Sequence, residues 1–183
     1  MQIPLNIYIW PDPILRKRSI EIPIDGIPDR QEVINGLVQI MRAHHGAGLA
    51  APQTGMHERI FLVENMEKDK DPLVFINPKI LEQSKENQLI IEGCLSIPGL
   101  QVPVERSKHV KISYYDTSAN YRNEEFSDQY AHVIQHEIEH LDGRIFIEHL
   151  PPIKRDIILR KMKRLKKYVK RHIDASAKEK KSK

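Results

Sequence analysis

The stretch Tyr130–Gly143 has the sequence YAHVIQHEIEHLDG, in which His136 and His140 stand four residues apart and Glu137 follows the first of them. Residues with this spacing lie on one face of an α-helix, one turn from each other. Both imidazoles can therefore bind the same divalent cation, with the glutamate beside it to take a proton from water. The alternative is a surface helix that carries two histidines, and a third ligand elsewhere in the chain would decide between them.

The residues after this helix do not supply a third ligand. Some zinc sites are completed by a histidine six residues after the second one, and that position is Phe146 here. The glutamates that follow His140 are Glu148, which is expected to lie outside the site, and Glu179 in the C-terminal tail. The ligand must therefore come from upstream.

Cys94, the only cysteine, lies upstream in the segment EGCLSIPG and has two interpretations. A free cysteine is usually a small buried apolar residue. A thiolate is also a good ligand for zinc or ferrous iron, and Gly93 next to it allows close approach of the backbone. Because the histidine pair is present, we prefer the second interpretation, with one thiolate, two imidazoles and a fourth coordination position left open.

The composition predicts one globular domain. The chain has 183 residues, of which 40% are hydrophobic and 30% are charged, and no segment approaches the roughly 20 apolar residues of a membrane-spanning helix. The N-terminus lacks the basic and apolar regions of a secretory signal. A single cysteine also suits a reducing compartment, so a cytoplasmic location is expected.

Charge is divided unevenly along the chain. Residues 154–183 contain 14 basic and three acidic side chains, a net charge of +11, whereas residues 1–153 carry a net charge of −7. We therefore expect a catalytic domain at residues 1–152, followed at 153–183 by a basic C-terminal helix and a disordered tail.

The periodicity of apolar residues predicts three helices. Asp29 is expected to cap a helix that continues to about His44, and Ser127 one that continues to Leu141, with Gly143 at its C-terminal stop. The third begins at the Pro151–Pro152 pair and ends near Ile173, before a disordered ASAKEKKSK segment. Strands rich in β-branched and aromatic residues are predicted at Arg59–Glu64, Leu73–Asn77 and His109–Asp116. The Gly-rich HHGAGLAAPQTG segment is predicted to be a loop.

Three motifs in this order resemble the peptide deformylase family: GAGLAAPQ at Gly46–Gln53, EGCLS at Glu92–Ser96 and QHEIEHLDG at Gln135–Gly143. PDPILRK near the N-terminus and the overall length extend the likeness to most of the chain. The resemblance implies an α+β fold with short antiparallel sheets around a central HExxH helix. It also implies a metal-dependent hydrolase that removes the formyl group from N-formylmethionyl nascent peptides, releasing formate, in N-terminal methionine processing during protein biosynthesis.

The resemblance also implies a role for each site residue. The metal ligands are Cys94, His136 and His140, the ion is expected to be Fe(II) in the cell, and zinc, nickel or cobalt can replace it. Glu137 is the general base, and the formyl oxygen is stabilised by the backbone N–H of Leu95 and the side-chain amide of Gln53. The groove that holds the extended peptide is lined by Ala47, Gly48 and Gly93.

Several residues depart from the family pattern. Glu139 replaces a common aspartate, a change expected to leave the site undisturbed, and Ala47 replaces a branched residue. His132 stands where family members present apolar surface toward the methionine pocket. It is expected either to be a hydrogen-bonded wall of that pocket or to alter the substrate preference. Arg106 is expected to pair with Glu92 and hold the cysteine loop.

The basic C-terminal helix suggests a partner. In bacterial deformylases with such an extension this helix docks on the ribosome, so the resemblance implies contact with rRNA or ribosomal protein. The narrow apolar stripe, without Trp or Phe, argues against membrane binding. The alternatives are a zinc peptidase, disfavoured by the missing downstream ligand, and a ribosome-binding protein without activity, disfavoured because Glu137, Cys94 and Gln53 are all present.

Overall fold

The computed structural model describes residues 6–67 and 70–181, which form the expected α+β fold. Helix α2 contacts strands of two antiparallel sheets, as predicted for a central helix. In chain order the elements are α1 (Gln31–Ala43), β1 (Gly48–Ala50), β2 (Ile60–Val63), β3 (Leu73–Gln83), β4 (Asn87–Cys94), β5 (Ile97–Ser107), β6 (His109–Tyr115), β7 (Tyr121–Ser127), α2 (Asp128–Leu141) and α3 (Pro152–Lys181).

The larger sheet has five antiparallel strands in the order β1-β2-β3-β6-β7, and β4 and β5 form a separate two-stranded sheet. In the β4–β5 hairpin, Gly93 pairs with Gln101 and the register then shifts, so that Cys94 pairs with Ile97. This irregularity lies at the tight end of the hairpin. It places the cysteine at a turn, where its side chain can face the helix.

One apolar face of α2 packs on the larger sheet. Its buried side chains include Ala131, Ile134 and Leu141, which share a core cluster with Phe61 and Phe75. The two phenylalanine rings stack with their centroids 4.6 Å apart. Burying each such side chain contributes about 1.5–3 kcal/mol. This packing fixes the rotation of α2, and a different face of the helix carries the histidines toward the β4–β5 hairpin.

Helix α1 lies at its predicted place, but the expected cap at Asp29 is wrong. Pro28 begins a short 3-10 turn that extends to Arg30, and Asp29 lies within it. The N-cap residue is Arg30, without a side-chain capping hydrogen bond. Proline has a fixed φ that suits the first position of a helical turn, so the turn starts one residue before the expected cap.

The other predicted helix boundaries are partly correct. Ser127 is the N-cap residue of α2, although its side chain makes no capping hydrogen bond. The predicted end of α3 near Ile173 is wrong, because the helix continues to Lys181, and the disordered tail stays a prediction. Alanine, lysine and glutamate dominate residues 175–181 and all favour helix. Ser182 and Lys183 lie outside the described residues.

The first turns of helix α3 join the core. Ile158 and Met162 are buried in a cluster with Trp10 and Phe146. The division of the chain at residue 152 stays a prediction. None of the helices among residues 6–67 and 70–181 is long and apolar enough to span a bilayer.

The strand predictions were incomplete. The three predicted strands correspond to β2, β3 and β6, and β3 is longer than predicted. The Gly-rich segment predicted as a loop contains the short strand β1 and a 3-10 turn at Ala51–Thr54. Strands β4, β5 and β7 were not predicted, and β4 and β5 carry or support the cysteine.

Gly143 stands just after α2 with φ +71°, a left-handed conformation that favours glycine. A Cβ at this position would lie 2.5 Å from the backbone oxygen of Arg16. We expect Gly143→Ala to lower the free energy of unfolding by at least the roughly 1–2 kcal/mol of left-handed strain, because the backbone contact adds to it. Urea unfolding would measure this. Gly99→Ala, also at positive φ but with no atom within 4 Å of the added Cβ, should cost less, and equal losses would contradict the role of the contact.

Candidate active site

Two elements bring the three predicted ligands together. His136 and His140 lie one turn apart on α2, and Cys94 is the last residue of β4. The ligand atoms of all three lie within 4.8 Å of one another, and the Sγ atom of Cys94 is 3.2 Å from Nε2 of His140. Residues distant in sequence therefore form one cluster of a thiolate and two imidazoles.

This cluster fits a divalent cation. Zinc binds thiolate sulfur at about 2.3 Å and imidazole nitrogen at about 2.0–2.1 Å, so two ligands of one tetrahedral ion stand about 3.5 Å apart. The observed 3.2 Å between sulfur and nitrogen, and the 4.8 Å limit for all three atoms, are compatible with a common centre. Three protein ligands leave one position for water or substrate, the pattern of catalytic rather than structural sites.

A buried network of charged side chains lies behind the cluster. Nδ1 of His136 is 2.9 Å from a carboxylate oxygen of Glu92, which fixes the ring so that Nε2 is the free ligand atom. Arg106 donates two hydrogen bonds to Glu92, at 2.7 and 3.1 Å, and two to Glu139, at 2.8 and 3.0 Å. His149 contacts Glu139 at 2.7 Å. The predicted pairing of Arg106 with Glu92 is confirmed.

The network sets the charges of its members. Burial alone would raise the pKa of Glu92, but hydrogen bonds from His136 and Arg106 outweigh it and lower the pKa to about 2. The pKa of Glu139 is also lowered, because the contact with Arg106 outweighs burial. Both acids are therefore ionised, and the two negative charges face one guanidinium.

The imidazoles of the two histidines differ. Burial, together with the positive charges of His136 and Arg106, lowers the pKa of His140 well below its usual value, which keeps this ring neutral, as a metal ligand must be. Burial acts in the same direction on His136, but hydrogen bonds with Cys94 and Glu92 raise its pKa well above the usual value. The Glu92 carboxylate thus holds a proton on the Nδ1 side of His136.

Glu137 lies beside the cluster on α2. It is buried, and its Oε2 atom has no hydrogen-bond partner among the described residues. Burial raises its pKa to about 7. The chain passes so closely that a Cβ on Gly48 would be 2.6 Å from Oε1 of Glu137 and 2.7 Å from a methyl carbon of Val133. A side chain at position 48 would therefore collide with this carboxylate and with Val133.

The side chain of Gln53 is held at both ends. Its Oε1 accepts a hydrogen bond from the backbone N–H of Ala50 at 2.9 Å. Its Nε2 donates to the hydroxyl of Ser96 at 3.2 Å and lies 3.5 Å from the sulfur of Cys94. The amide is buried, and its N–H groups are directed toward the cysteine turn.

A cleft of about 890 Å³ opens onto this cluster. Nine of the ten predicted site residues line it, and the tenth, His140, lies behind Cys94. The nine are Ala47, Gly48, Gln53, Gly93, Cys94, Leu95, His132, His136 and Glu137. The cleft therefore offers room for a peptide beside the potential metal ligands.

Comparison with known proteins identifies the family. The family model described as Polypeptide deformylase matches residues 4–156. A peptide deformylase of Thermotoga sp. (strain RQ2) is 38% identical over 167 residues, covering 91% of this chain and 99% of the relative. This chain belongs to the polypeptide deformylase family. Its reaction is accordingly the removal of the N-formyl group from nascent peptides, catalysed by a metal-dependent hydrolase.

Solved deformylase structures agree with the fold. The crystal structure of a peptide deformylase from Legionella pneumophila superposes with a TM-score of 0.81 at 31% identity, covering 91% of this chain and 97% of the other. A plant peptide deformylase gives a TM-score of 0.82 at 30% identity, covering 93% and 94%. Each superposition covers nearly the whole of the other chain, so the similarity extends over the complete deformylase fold.

One ring nitrogen of His132 lacks the hydrogen bond expected of a satisfied pocket wall, within the part of the chain that the structure describes. The residue is buried and lines the deformylase cleft, but its Nε2 atom has no partner among the residues that the structure describes. Burial lowers the pKa of the ring, so it is neutral.

Sequence analysis missed several residues of the deformylase site. Glu139 was treated as a neutral departure, yet it shares Arg106 with Glu92. His149, on the turn after α2, extends the network. Val133 lines the cleft, and its position four residues before Glu137 on a helix was the signal for this. Glu148 forms an ion pair with Arg16, in agreement with its expected place outside the site.

Proposed function

We propose that Cys94, His136 and His140 hold the ion required for deformylation, and that Glu137 is the proton carrier. The observation that supports this is one geometric fact. The three ligand atoms lie within 4.8 Å of one another, and the buried side chain of Glu137 lines the same cleft. When bound, a divalent ion supplies Lewis-acid chemistry that activates water and polarises a carbonyl group.

The reaction adds water across the formyl C–N bond. The carboxylate of Glu137 accepts a proton from the attacking water, whose oxygen bonds to the formyl carbon. When the C–N bond breaks, the same carboxyl group delivers the proton to the departing nitrogen. Formate and a free N-terminal amine result. A buried position favours such a role, because burial raises the pKa of this carboxyl group to about 7 and lets it both accept and return a proton near neutral pH.

Gln53 and Leu95 are proposed to stabilise the formyl oxygen as negative charge develops there. Preorganised N–H donors act most strongly on such charge, because they need not reorganise during the reaction. The amide of Gln53 is held by Ala50 and Ser96, and Leu95 follows the ligand cysteine at the edge of the cleft. Each would supply one N–H donor.

The peptide is proposed to lie extended between β1 and the β4–β5 hairpin. Ala47, Gly48 and Gly93 line this part of the cleft, and small residues let the backbone of a substrate approach the backbone of the enzyme. The backbone N–H groups at the edges of β1 and of the β4–β5 hairpin suit a peptide that binds as an additional strand. This places the formyl group at the inner end, beside Glu137.

The ion in the cell is proposed to be Fe(II), with zinc, nickel and cobalt able to occupy the same ligands. One thiolate and two imidazoles suit any of these borderline or soft-leaning ions. The test is formate release from an N-formyl-Met tripeptide by metal-free protein reloaded anaerobically with each ion, with bound metal measured in parallel. We expect one ion per chain, activity with several ions and none after chelation. Loaded, folded protein that released no formate but cleaved the peptide bonds would indicate a peptidase instead.

A second proposal concerns location. We propose that helix α3 attaches the enzyme to the ribosome in the cytoplasm, where formylated chains emerge. Its support is the net charge of +11 over residues 154–183, since a polyanion attracts such a segment strongly and salt weakens the attraction. Co-sedimentation with ribosomes at increasing salt tests it, with a variant truncated after Leu165 as control. Truncation there keeps the buried Ile158 and Met162. Binding of both proteins alike would exclude the proposal.

A further inference from the structure

Strand β4 carries two exposed apolar side chains at the margin of the cleft. Leu89 is 72% exposed and Ile91 is 64% exposed. Ile91 pairs with Pro103 of β5, which is exposed as well. Single exposed apolar residues are common in proteins, whereas several together beside a ligand cleft indicate a binding surface. We call the side chains of Leu89, Ile91 and Pro103 the outer strip.

The two faces of β4 differ in what they contact. Gln88 donates a hydrogen bond at 3.3 Å to the first residue of α2, and Glu92 contacts His136 of the same helix at 2.9 Å. Successive side chains of a strand point to opposite faces. The face that carries Gln88 and Glu92 is therefore directed toward α2, and the outer strip lies on the opposite face, which is open to solvent.

The free edge of β4 borders the cleft. Among the described residues, β4 pairs with β5 alone, so its other edge has no strand partner there. Ile90 and Ile91 point to opposite faces of β4 and both line the cleft, whereas their partners on β5, Val104 and Pro103, do not. The cleft therefore lies beside the edge of the strand, and an open edge is a template for an added peptide strand.

A nascent chain continues beyond its formylated residue and must leave the cleft across a neighbouring surface. With the formyl group near Cys94, the last residue of β4, a peptide that pairs with this strand advances toward Leu89, five residues away. The first side chain fills the cleft on the side of α2, to which Ile90 also points. Because side chains alternate along a strand, those of residues 2 and 4 lie on the face of the outer strip.

We propose that the outer strip is a specificity surface for the nascent chain beyond its first residue, and that it favours substrates with apolar side chains at residues 2 and 4. This inference rests on the proposed path of the peptide through the same cleft. Ile91 stands between the two positions and contacts both side chains, and Leu89 contacts residue 4. The preference comes from the apolar area that both partners remove from water. Neither residue acts on the formyl carbon.

The test uses pentapeptides of the form formyl-Met-X-Ala-Z-Ala, in which X and Z are leucine or asparagine, a polar side chain of similar size. With protein reloaded with Fe(II), we expect kcat/KM to be about fivefold higher for leucine than for asparagine at either position, since each contact buries only part of a side chain. The difference should lie in KM, because a contact made equally in the ground state and the transition state leaves kcat unchanged. Leu89→Thr should lower the ratio at residue 4, Ile91→Thr at both positions, and the double variant should bring both ratios to about one.

Controls establish whether the effect is local. Threonine favours strands, so the variants should keep the hairpin, and urea unfolding checks this. Leu81→Thr, at an exposed leucine on β3 of the larger sheet, should leave all ratios unchanged, and the conservative Leu89→Ile should keep the preference at residue 4. Wild-type ratios in the double variant would overturn the inference. A wild-type dimer that the double variant converted to a monomer in sedimentation would also overturn it, because the outer strip would then be a contact between copies of this chain.

A binding measurement separates this inference from the proposed function. Calorimetry with the unformylated pentapeptides reports the same preference without any turnover. Formate release with equal ratios for leucine and asparagine would overturn the role of the outer strip and leave the proposed chemistry intact. A binding preference that the double variant lost, without formate release from any peptide, would support the outer strip and overturn the proposed chemistry of the cleft.

Discussion

Replacing Glu137 with glutamine is expected to lower the rate of formate release by about 10²–10⁴-fold, the usual contribution of a positioned general acid–base group. The amide has the same shape as the carboxyl group but cannot accept and return a proton. Because Oε2 of Glu137 has no hydrogen-bond partner among the described residues, the substitution breaks no bond at that atom. The effect should therefore appear in kcat, with the substrate KM little changed.

Controls must show that the variant keeps its fold and its ion. Urea unfolding and metal content should match those of the wild type, since the proposed ligands Cys94, His136 and His140 are unchanged. Glu125→Gln, at an exposed position on β7, removes an equivalent charge away from the cleft and should leave the rate unaltered. A Glu137→Gln protein that retained its ion and full activity would assign proton transfer to another group.

The sequence was sufficient to predict that Cys94, His136 and His140 come together. The spacing of His136 and His140 requires one helix face, and the only cysteine had no competing use as a disulfide partner. The spacing of two residues on one helix is a local property, so it can be predicted without knowledge of the fold. The joining of Cys94 to that pair could be inferred from ligand chemistry, because a cation forces its ligands together whatever the topology.

The hairpin that carries Cys94 could not be predicted in the same way. Strand β5 contains Pro98 and Pro103, and proline disfavours a strand assignment because it lacks an N–H. Gly93 weakens the β-propensity of the preceding strand. Both sequences nevertheless form strands, because the prolines occupy positions in a two-stranded sheet with free edges. Pairing of β4 with β5 therefore outweighed the low β-propensity of their sequences.

The network around Glu139 was missed for a different reason. Glu139 was expected to leave the site undisturbed because glutamate is chemically similar to aspartate. Its contribution to stability, however, depends on Arg106, which belongs to another element. Arg106 stands on β5 and approaches α2 only after the hairpin folds against it. The side chain of His132 is a parallel case. The sequence suggested either a satisfied histidine or an altered substrate preference, whereas the unpaired Nε2 atom, judged against the described residues, appears only in three dimensions.

Replacing Arg106 with methionine should be the most destabilising of the substitutions considered. Its guanidinium is 4% exposed and donates four hydrogen bonds to two buried carboxylates, those of Glu92 and Glu139. Removing one partner from a buried charged group costs about 3–5 kcal/mol, because the remaining charges are left without compensation. Urea unfolding would measure the loss. Arg42→Met, which removes a partner of Glu64 in a partly exposed pair, should cost only about 0–1 kcal/mol.

The same variant should bind its ion about 10–100-fold more weakly, because Arg106 holds the carboxylate that orients His136. Stability and orientation can be separated with a triple variant, Arg106→Met with Glu92→Gln and Glu139→Gln. Removing both carboxylate charges leaves no uncompensated charge, so most of the free energy of unfolding should return. Metal affinity should stay low, because a neutral amide holds the Nδ1 proton of His136 less strongly than a carboxylate does. If affinity recovered together with stability, the network would act only by supporting the fold, and the orientation of His136 by Glu92 would have to be abandoned.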